Sequence, residues 1–191
     1  MNYETRGRLF SQKRIAFGLL IMLFAAGQLF GGVQIKKEPD MKTDKILAES
    51  EDEAAIRMLE DKFAAAFNAG NIDAMMKHYI PDKSLVVFDL VPRQQYYGAD
   101  EYRKDWEEFF SHFKGRPRIT ITNLEITADG SLGFSHSIQQ ITGTDTQGHP
   151  VDRTVRVTDG YRKIGGKWLI VQEYISVPVD VATGKAVKVT Y

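Results

Sequence analysis

The sequence contains no cysteine, and this absence excludes several classes of protein. Without thiols the chain has neither a disulfide framework nor a thiolate metal site, and no cysteine is available for a lipid anchor. Histidine is also scarce, and the four that are present show no metal-ligand spacing: His78, His112, His136 and His149. We therefore expect no metal or other cofactor, and a fold that rests on its hydrophobic core alone.

An excess of charge of one sign is missing as well. The 25 basic side chains balance the 25 acidic ones, and without the first 27 residues the counts become 21 and 24, a net charge of −3. Nucleic-acid binding would need a basic patch, so we expect no nucleic acid as a partner. The sequence also lacks a phosphate-binding loop, a dinucleotide fingerprint and a nucleophile elbow.

Long hydrophobic runs are confined to one place, residues 15–30. The run follows four basic residues, Arg6, Arg8, Lys13 and Arg14, in the layout of an export signal. Ala25 and Gly27 have the spacing that signal peptidase requires, which predicts cleavage before Gln28 and a signal at residues 1–27. The alternative is an uncleaved membrane anchor, because the run is near the lower length limit for crossing a bilayer. Either way, we expect the folded part to be periplasmic or secreted, and to meet a membrane only through an uncleaved segment.

The rest of the chain predicts one folded domain at residues 50–180. A charged spacer at residues 28–49 precedes it, and a short tail at residues 181–191 follows it. Hydrophobic spacing predicts three helices, which begin at Ser50, at Asn71 and near Asp100.

Strands make up the other part of this domain. One strand is predicted within residues 84–90, followed by a loop at 91–98, and four strands come after the third helix: residues 118–127, 131–142, 151–163 and 167–177. Helices and antiparallel strands that are segregated in this way predict an α+β fold.

The last two strands form a hairpin whose register decides which side chains share a face. A two-residue turn at Gly165-Gly166 would pair Arg156 with Ile175, and a three-residue loop would pair Arg156 with Tyr174. We favour the three-residue loop because it separates a mostly apolar face from a polar stripe, which consists of Arg156, Thr158, Gln172 and Tyr174. The polar stripe is either solvated or the wall of a cavity.

The apolar face of the same hairpin predicts a partner. Its members are Val155, Val157, Leu169, Val171 and Ile175. An exposed apolar sheet face of this kind is typical of an interface between identical subunits, so we expect a homodimer.

Four segments of the chain resemble SnoaL-like and ketosteroid-isomerase-like proteins of the nuclear transport factor 2-like superfamily. They are FNAGNIDAMMKHYIPD, YYGADEYRKDWEEFF, GTDTQGHPVDRTVRVT and YRKIGGKWLIVQEYISVP, and the resemblance covers roughly residues 52–180. It implies a cystatin-like cone, in which a curved antiparallel sheet wraps around three N-terminal helices and leaves a pocket at its open end. It also implies that the polar stripe points into this cone.

The resemblance implies a range of activities rather than one. The superfamily includes isomerases, dehydratases, epoxide hydrolases and polyketide cyclases, and also binding modules such as the association domain of calcium/calmodulin-dependent protein kinase II. Related SnoaL-like proteins commonly carry two histidines in the last strand, as in HEH, where this chain has Gln172-Glu173-Tyr174. An acid–base role of such a histidine pair is therefore lost here.

Arg156 is the first candidate for substrate binding, because its planar guanidinium suits a carboxylate. Tyr174 and Gln172 would flank it as hydrogen-bond donors. The alternative is an internal ion pair of Arg156 with one of three acids, Asp89, Asp105 or Glu60.

Asp89 and Trp106 complete the candidate set. Asp89 follows an apolar strand and is either a base that removes a proton next to a carbonyl or an acid at a strand end that faces water. Trp106 belongs to the aromatic side of the third helix and either packs in the core or lines the pocket. These residues predict a protein that binds an anionic or carbonyl-bearing small molecule, with isomerase or lyase activity. The alternative is a binding or dimeric assembly module without catalysis.

Overall fold

The computed structural model describes residues 49–90 and 93–189. The predicted export signal at residues 1–27 and the spacer up to residue 48 lie outside the described residues. Within the described ranges, no helix is long and apolar enough to cross a membrane.

Three helices form as the sequence predicts. The first, α1 (Glu51–Asn68), begins at a complete capping box, in which the Ser50 hydroxyl accepts from the Glu53 N–H and the Glu53 carboxylate accepts from the Ser50 N–H. The second, α2 (Ile72–Met76), is capped by Asn71, and the third is α3 (Ala99–Ser111). Apolar residues at helical spacing bury one side of α1: Ile56, Leu59, Phe63 and Phe67.

Within these described ranges, six strands form a single sheet, with spatial order β2-β1-β6-β5-β4-β3. In chain order they are β1 (Val86–Phe88), β2 (Gln95–Tyr97), β3 (Arg118–Asp129), β4 (Leu132–Thr144), β5 (Pro150–Ile164) and β6 (Lys167–Ser176). Strands β1 and β6 are parallel, and the other neighbours are antiparallel. Strand β2 corrects the sequence analysis, which predicts a loop at residues 91–98. Three residues are too few to show the alternation that identifies a strand.

The sheet is curved and unclosed, and its inner face packs on the helices. Two irregularities accompany this curvature, one in β3 between Thr122 and Glu125 and one between β5 and β6 at Gly160 and Tyr161. Asn123, inside the first, has a positive φ of 49°, as expected for a bulge residue. Bulges bend a strand and increase its twist, which lets one continuous sheet wrap around the helices.

The register of the β5–β6 hairpin differs from the prediction. Gly165 and Gly166 both have positive φ, and Ile164 pairs with Lys167, so the turn has two residues and not three. The irregularity at Gly160 then shifts the pairing by one residue, and Arg156 lies opposite Ser176. The predicted pair of Arg156 with Tyr174 is therefore wrong, because two glycines allow the tight turn and a bulge further along changes the register.

The two changes add up to a shift of two residues, so Arg156, Thr158, Gln172 and Tyr174 still share one face, as predicted. The polar stripe of Arg156, Thr158, Gln172 and Tyr174 is exposed, so the implied inward direction is wrong. The inner face instead carries four buried residues of β5: Val155, Val157, Asp159 and Tyr161. The predicted apolar face is likewise not one exposed surface, since Val155 and Val157 are buried in the cone.

Candidate functional site

A cavity of about 790 Å³ opens between α3 and the inner face of the sheet. Its apolar lining includes Phe63, Leu90, Trp106, Phe109, Ile119, Ile141, Val155 and Ile175. Charged side chains also line it, the basic ones being Arg93, Lys104 and Arg153 and the acidic ones Asp89, Glu101, Asp105, Glu108 and Glu173. A cavity of this size and mixed lining is typical of a small-molecule site.

Glu173 lies at the buried end of this cavity. It belongs to the inner face of β6, is only 5% exposed, and still contributes to the cavity lining. The Tyr79 hydroxyl donates to its Oε2 at 2.8 Å, and the Tyr102 hydroxyl donates to its Oε1. Burial raises the pKa of Glu173 to about 7, and the hydrogen bonds from Tyr102 and Tyr79 oppose this rise only in part.

Two further buried carboxyl groups lie behind Glu173, and we call Glu60, Asp159 and Glu173 the carboxyl cluster. The Tyr161 hydroxyl donates to Glu60 Oε1 at 2.7 Å. Burial raises the pKa of Glu60 to about 7. Burial, followed by the charges of Glu60 and Glu173, holds the pKa of Asp159 well above its usual range.

Tyrosine hydroxyls hydrogen-bond to Glu60 and Glu173, and Asp159 lies opposite Glu173 on the neighbouring strand, within hydrogen-bonding reach of it. The Tyr161 hydroxyl also lies 2.7 Å from Ser135 Oγ. In the part of the chain that the structure describes, no lysine, arginine or histidine forms a hydrogen bond or ion pair with a member of the cluster. Burial without a nearby cation favours the protonated form of each of these acids.

Asp105 and Asp89 lie on the wall of the cavity. The Tyr96 hydroxyl donates to Asp105 Oδ1, and burial raises the pKa of this half-buried carboxyl. Asp89 lines the same cavity, and its Oδ1 accepts from the Leu90 N–H. The structure thus places Asp89 at the cavity, as a candidate site residue, while its role as a base stays a prediction.

Trp106 also lies where a ligand would contact it. Its ring packs among Phe63, Phe67, Tyr102 and Phe109, and the side chain is 92% buried while lining the cavity. The indole N–H has no hydrogen-bond partner among the described residues. A buried donor without a partner is costly, and a ligand acceptor in the cavity would satisfy it.

Three sequence-predicted site residues lie elsewhere. Arg156, Gln172 and Tyr174 are exposed on the outer face of the sheet and do not line the cavity. Both interpretations of Arg156, as a ligand contact in the cone and as an internal ion pair, presuppose an inward side chain, whereas Arg156 is exposed. That these three residues bind a ligand stays a prediction, and the binding surface would then be the outer face of the sheet.

The carboxyl cluster was missed by sequence reasoning, although signals for it exist. Glu60 shares the helical spacing of Ile56, Phe63 and Phe67, which places an acid on the apolar side of α1. Asp159 shares the two-residue alternation of Val157 and Tyr161, which places an acid on the inner face of β5. An acid at a core position of a helix and another at a core position of a strand would have indicated a buried polar site.

Metal chemistry has no candidate site in residues 49–90 and 93–189, where no group of three or more suitable side chains is arranged to hold an ion.

Comparison with known proteins identifies the family of the chain and its fold. A family model described as a SnoaL-like domain matches residues 56–180. A nuclear transport factor 2-like protein of unknown function from Pseudomonas putida KT2440 is 27% identical, with a TM-score of 0.64 over 73% of this chain and 96% of that one. No curated protein matches the chain significantly.

Two further solved structures are similar over most of the domain. One, from Xanthomonas campestris, is provisionally named as a calcium/calmodulin dependent protein kinase II association domain; it is 25% identical, with a TM-score of 0.59 over 71% of this chain and 93% of that one. The other, from Streptomyces avermitilis, is provisionally named as a dehydratase of the nuclear transport factor 2-like family. It is 12% identical, with a TM-score of 0.57 over 65% and 95% of the two chains, so it shows a common fold alone.

Proposed function

Since the chain belongs to the SnoaL-like domain family, we propose that its cavity binds a small carbonyl-bearing or anionic organic molecule and that Glu173 moves a proton on it. The reaction class is that of an isomerase or a lyase. One observation carries the proposal, namely the Glu173 carboxyl group at the buried end of the cavity. Its pKa is about 7, and its two oxygens accept hydrogen bonds from two tyrosines. At this pKa both the acid and the base form are present near neutral pH, which is what proton transfer requires.

The chemistry follows from the position of Glu173. Its carboxylate takes the proton from a carbon next to a carbonyl, and the electron pair of that C–H bond moves into an enolate. The protonated Glu173 then returns the proton to another carbon, which is isomerisation, or the enolate expels a group on the neighbouring carbon, which is elimination. The enolate oxygen needs a donor, and we assign this role to Trp106 of the cavity wall, whose buried indole N–H has no hydrogen-bond partner among the described residues.

The lining of the cavity also limits the ligand. Its apolar wall suits a hydrophobic body. Arg153 is exposed and lies opposite Ile141 on the inner face, and Arg93 and Lys104 also line the cavity. Cations on the wall of an apolar cavity favour a ligand whose outer end carries a carboxylate or another anion.

A deuterium-exchange experiment tests the proposal. A panel of small ketones, enones and keto acids is screened for binding, and exchange of the α-hydrogen of each bound compound with D₂O is followed by NMR. Glu173→Gln should retain binding and lose at least about 100-fold in exchange rate, since general-base catalysis contributes that much. Glu107→Gln, exposed on α3 and outside the cavity, is the matched control. Exchange that survives in Glu173→Gln, or a panel without a single binder, would contradict the proposal.

The second candidate function is a dimeric binding module without catalysis. It is supported by the 25% identity to the Xanthomonas campestris structure and by large exposed side chains on the outer face of the sheet, among them Phe134 and Tyr174. In this case the same screen would give binding without any exchange in the wild-type protein.

Export from the cytoplasm belongs to the proposal as well and rests on the sequence of residues 1–27 alone. Mass spectrometry of the protein recovered from the periplasm or medium should show a mature chain that begins at Gln28. A chain that retains Met1 would instead support the membrane anchor.

A further inference from the structure

The contact between Asp159 and Glu173 joins two buried carboxyl groups. Asp159 of β5 lies directly opposite Glu173 of β6, and the two residues are 2% and 5% exposed. In this position their carboxyl groups are within hydrogen-bonding reach of each other. An ionised carboxylate can only accept hydrogen bonds, so a hydrogen bond between two carboxyl groups requires a proton on one of them. The pair therefore holds at least one proton.

Among the described residues, the groups that surround the pair include hydrogen-bond donors but no positive charge. Asp159 faces Glu60 from α1 and Tyr161 from its own strand, besides Glu173. Glu173 faces Tyr79, Tyr102 from α3, and the charges of Asp89 and Glu60. Two ionised carboxylates side by side in these surroundings would repel each other without compensation.

The hydrogen bonds indicate which of the two carboxyl groups keeps the proton. Both oxygens of Glu173 accept from a tyrosine hydroxyl, so its negative charge is stabilised. Asp159 Oδ1 has no partner among the described residues, and the proton of the neighbouring Tyr161 hydroxyl goes to Glu60. The negative charge of an ionised Asp159 would thus be less stabilised than that of Glu173, so Asp159 is the member of the pair that keeps the proton.

We propose that Asp159 is a neutral carboxylic acid whose hydroxyl donates to Glu173 and, as a third donor beside Tyr79 and Tyr102, keeps Glu173 ionised and able to accept a proton. Asp159 does not line the cavity, so it is a positioning residue that acts through Glu173. Its catalytic meaning rests on the proposed function. The test of Asp159 uses the ligand-free protein, whereas the proposed reaction is tested by α-hydrogen exchange in bound compounds. A failure of one proposal can therefore be told apart from a failure of the other.

Two substitutions separate a neutral Asp159 from a charged one. The titration of Glu173 is followed by NMR in protein labelled with ¹³C at glutamate carboxyl groups, and its resonance is assigned by its loss in Glu173→Gln. Asp159→Asn is uncharged and retains an N–H donor, so the Glu173 midpoint should move by less than about half a pH unit. Asp159→Leu removes the donor, and the midpoint should rise by about one pH unit or more.

Four results would overturn the inference. A fall of the midpoint by more than about half a pH unit in Asp159→Asn would mean that a negative charge has been removed, and a rise of that size would mean that the native donor is not Asp159. An unchanged midpoint in a folded Asp159→Leu would mean that Glu173 does not depend on this hydrogen bond. If Asp159→Leu does not fold, aspartate labelling of the wild-type protein replaces it: the Asp159 carboxyl should keep the chemical shift of a neutral acid from about pH 5 to about pH 8. The shift of a carboxylate in that range would refute the proposal.

Discussion

The buried Glu60 should make the unfolding free energy of the whole domain depend on pH. Burial raises its pKa from an ordinary 4.5 to about 7 in the folded protein. The stability contributed by its neutral form is therefore fully present below about pH 4.5 and is lost as pH rises through about 7. This dependence is opposite in sign to that of a salt-bridged acid.

Glu60→Gln should remove this dependence, because the glutamine is neutral at every pH. Relative to Glu60→Gln, the wild-type protein should lose up to about 3 kcal/mol of unfolding free energy between about pH 4.5 and about pH 8. Urea denaturation at both pH values measures the difference. Glu51→Gln, on the exposed side of α1, serves as the control and should follow the wild-type curve. Parallel curves for the wild type and Glu60→Gln would show that Glu60 has no raised pKa.

The two tryptophans of the chain offer a matched pair of substitutions. Trp106 lines the cavity, and its buried N–H has no hydrogen-bond partner in the part of the chain that the structure describes, whereas the Trp168 N–H donates to Asp52 at 3.1 Å. Trp106→Phe should weaken binding of a carbonyl ligand by about tenfold, the equivalent of one hydrogen bond, and retain most of the stability. Trp168→Phe should lose about 1 to 3 kcal/mol of unfolding free energy and leave binding unchanged. Calorimetric titration and thermal melts of both variants measure this, and equal effects of the two substitutions on binding would contradict it.

At the scale of elements, local signals predicted the parts whose causes are local. The capping box of Ser50 and Glu53 and the spacing of α1 depend on residues a few positions apart, and both appear as the sequence predicts. The register of β5 and β6 does not depend on local signals alone, since a bulge at Gly160 shifts it away from the turn that starts the hairpin. Around Arg156 the pairing differs from the prediction by two residues, which leaves the same side chains on each face. Glu173 was missed and Arg156 chosen because the polar face was taken to point into the cone, whereas it is exposed.

The glycine turn of this hairpin can be tested directly. Gly165 and Gly166 have φ values of 56° and 79°, a region that costs a residue with a Cβ about 1 kcal/mol or more. Gly165→Ala and Gly166→Ala should each lower the unfolding free energy by about that amount. The control is Gly160→Ala, where a Cβ would meet the nearest atom of Gln172 at 3.5 Å, an ordinary contact. A larger loss in Gly160→Ala than in the turn variants would contradict the two-residue turn.

At the scale of the molecule, the outer face of the sheet carries large side chains in contact with solvent. Phe134 is 52% exposed and Tyr174 is 49% exposed, and the Tyr174 ring packs edge-on against Phe88 at 6.0 Å between centroids. The C-terminal tail reaches one side of this face, where the buried Val189 lies by Thr154. Aromatic residues between polar ones are typical of the interfaces of homodimers. The expected homodimer would therefore form through Phe134 and Tyr174 and not through Val155 and Val157, which are buried in the cone.

Light scattering after size exclusion tests this arrangement. The wild-type protein should elute as a dimer at micromolar concentration, and the double substitution Phe134→Ser with Tyr174→Ser should give a monomer, because aromatic residues at the centre of an interface each contribute about 2 kcal/mol or more. Val181→Ser, at an almost fully exposed position of the tail, should leave the dimer intact. The melting temperature of the double variant, measured at several protein concentrations, should lose the concentration dependence that a dimer imposes.

A monomeric wild type would refute the homodimer, and a double variant that remains a dimer would place the interface elsewhere. Either result leaves the cavity chemistry intact, since the two side chains lie on the face of the sheet opposite to Glu173.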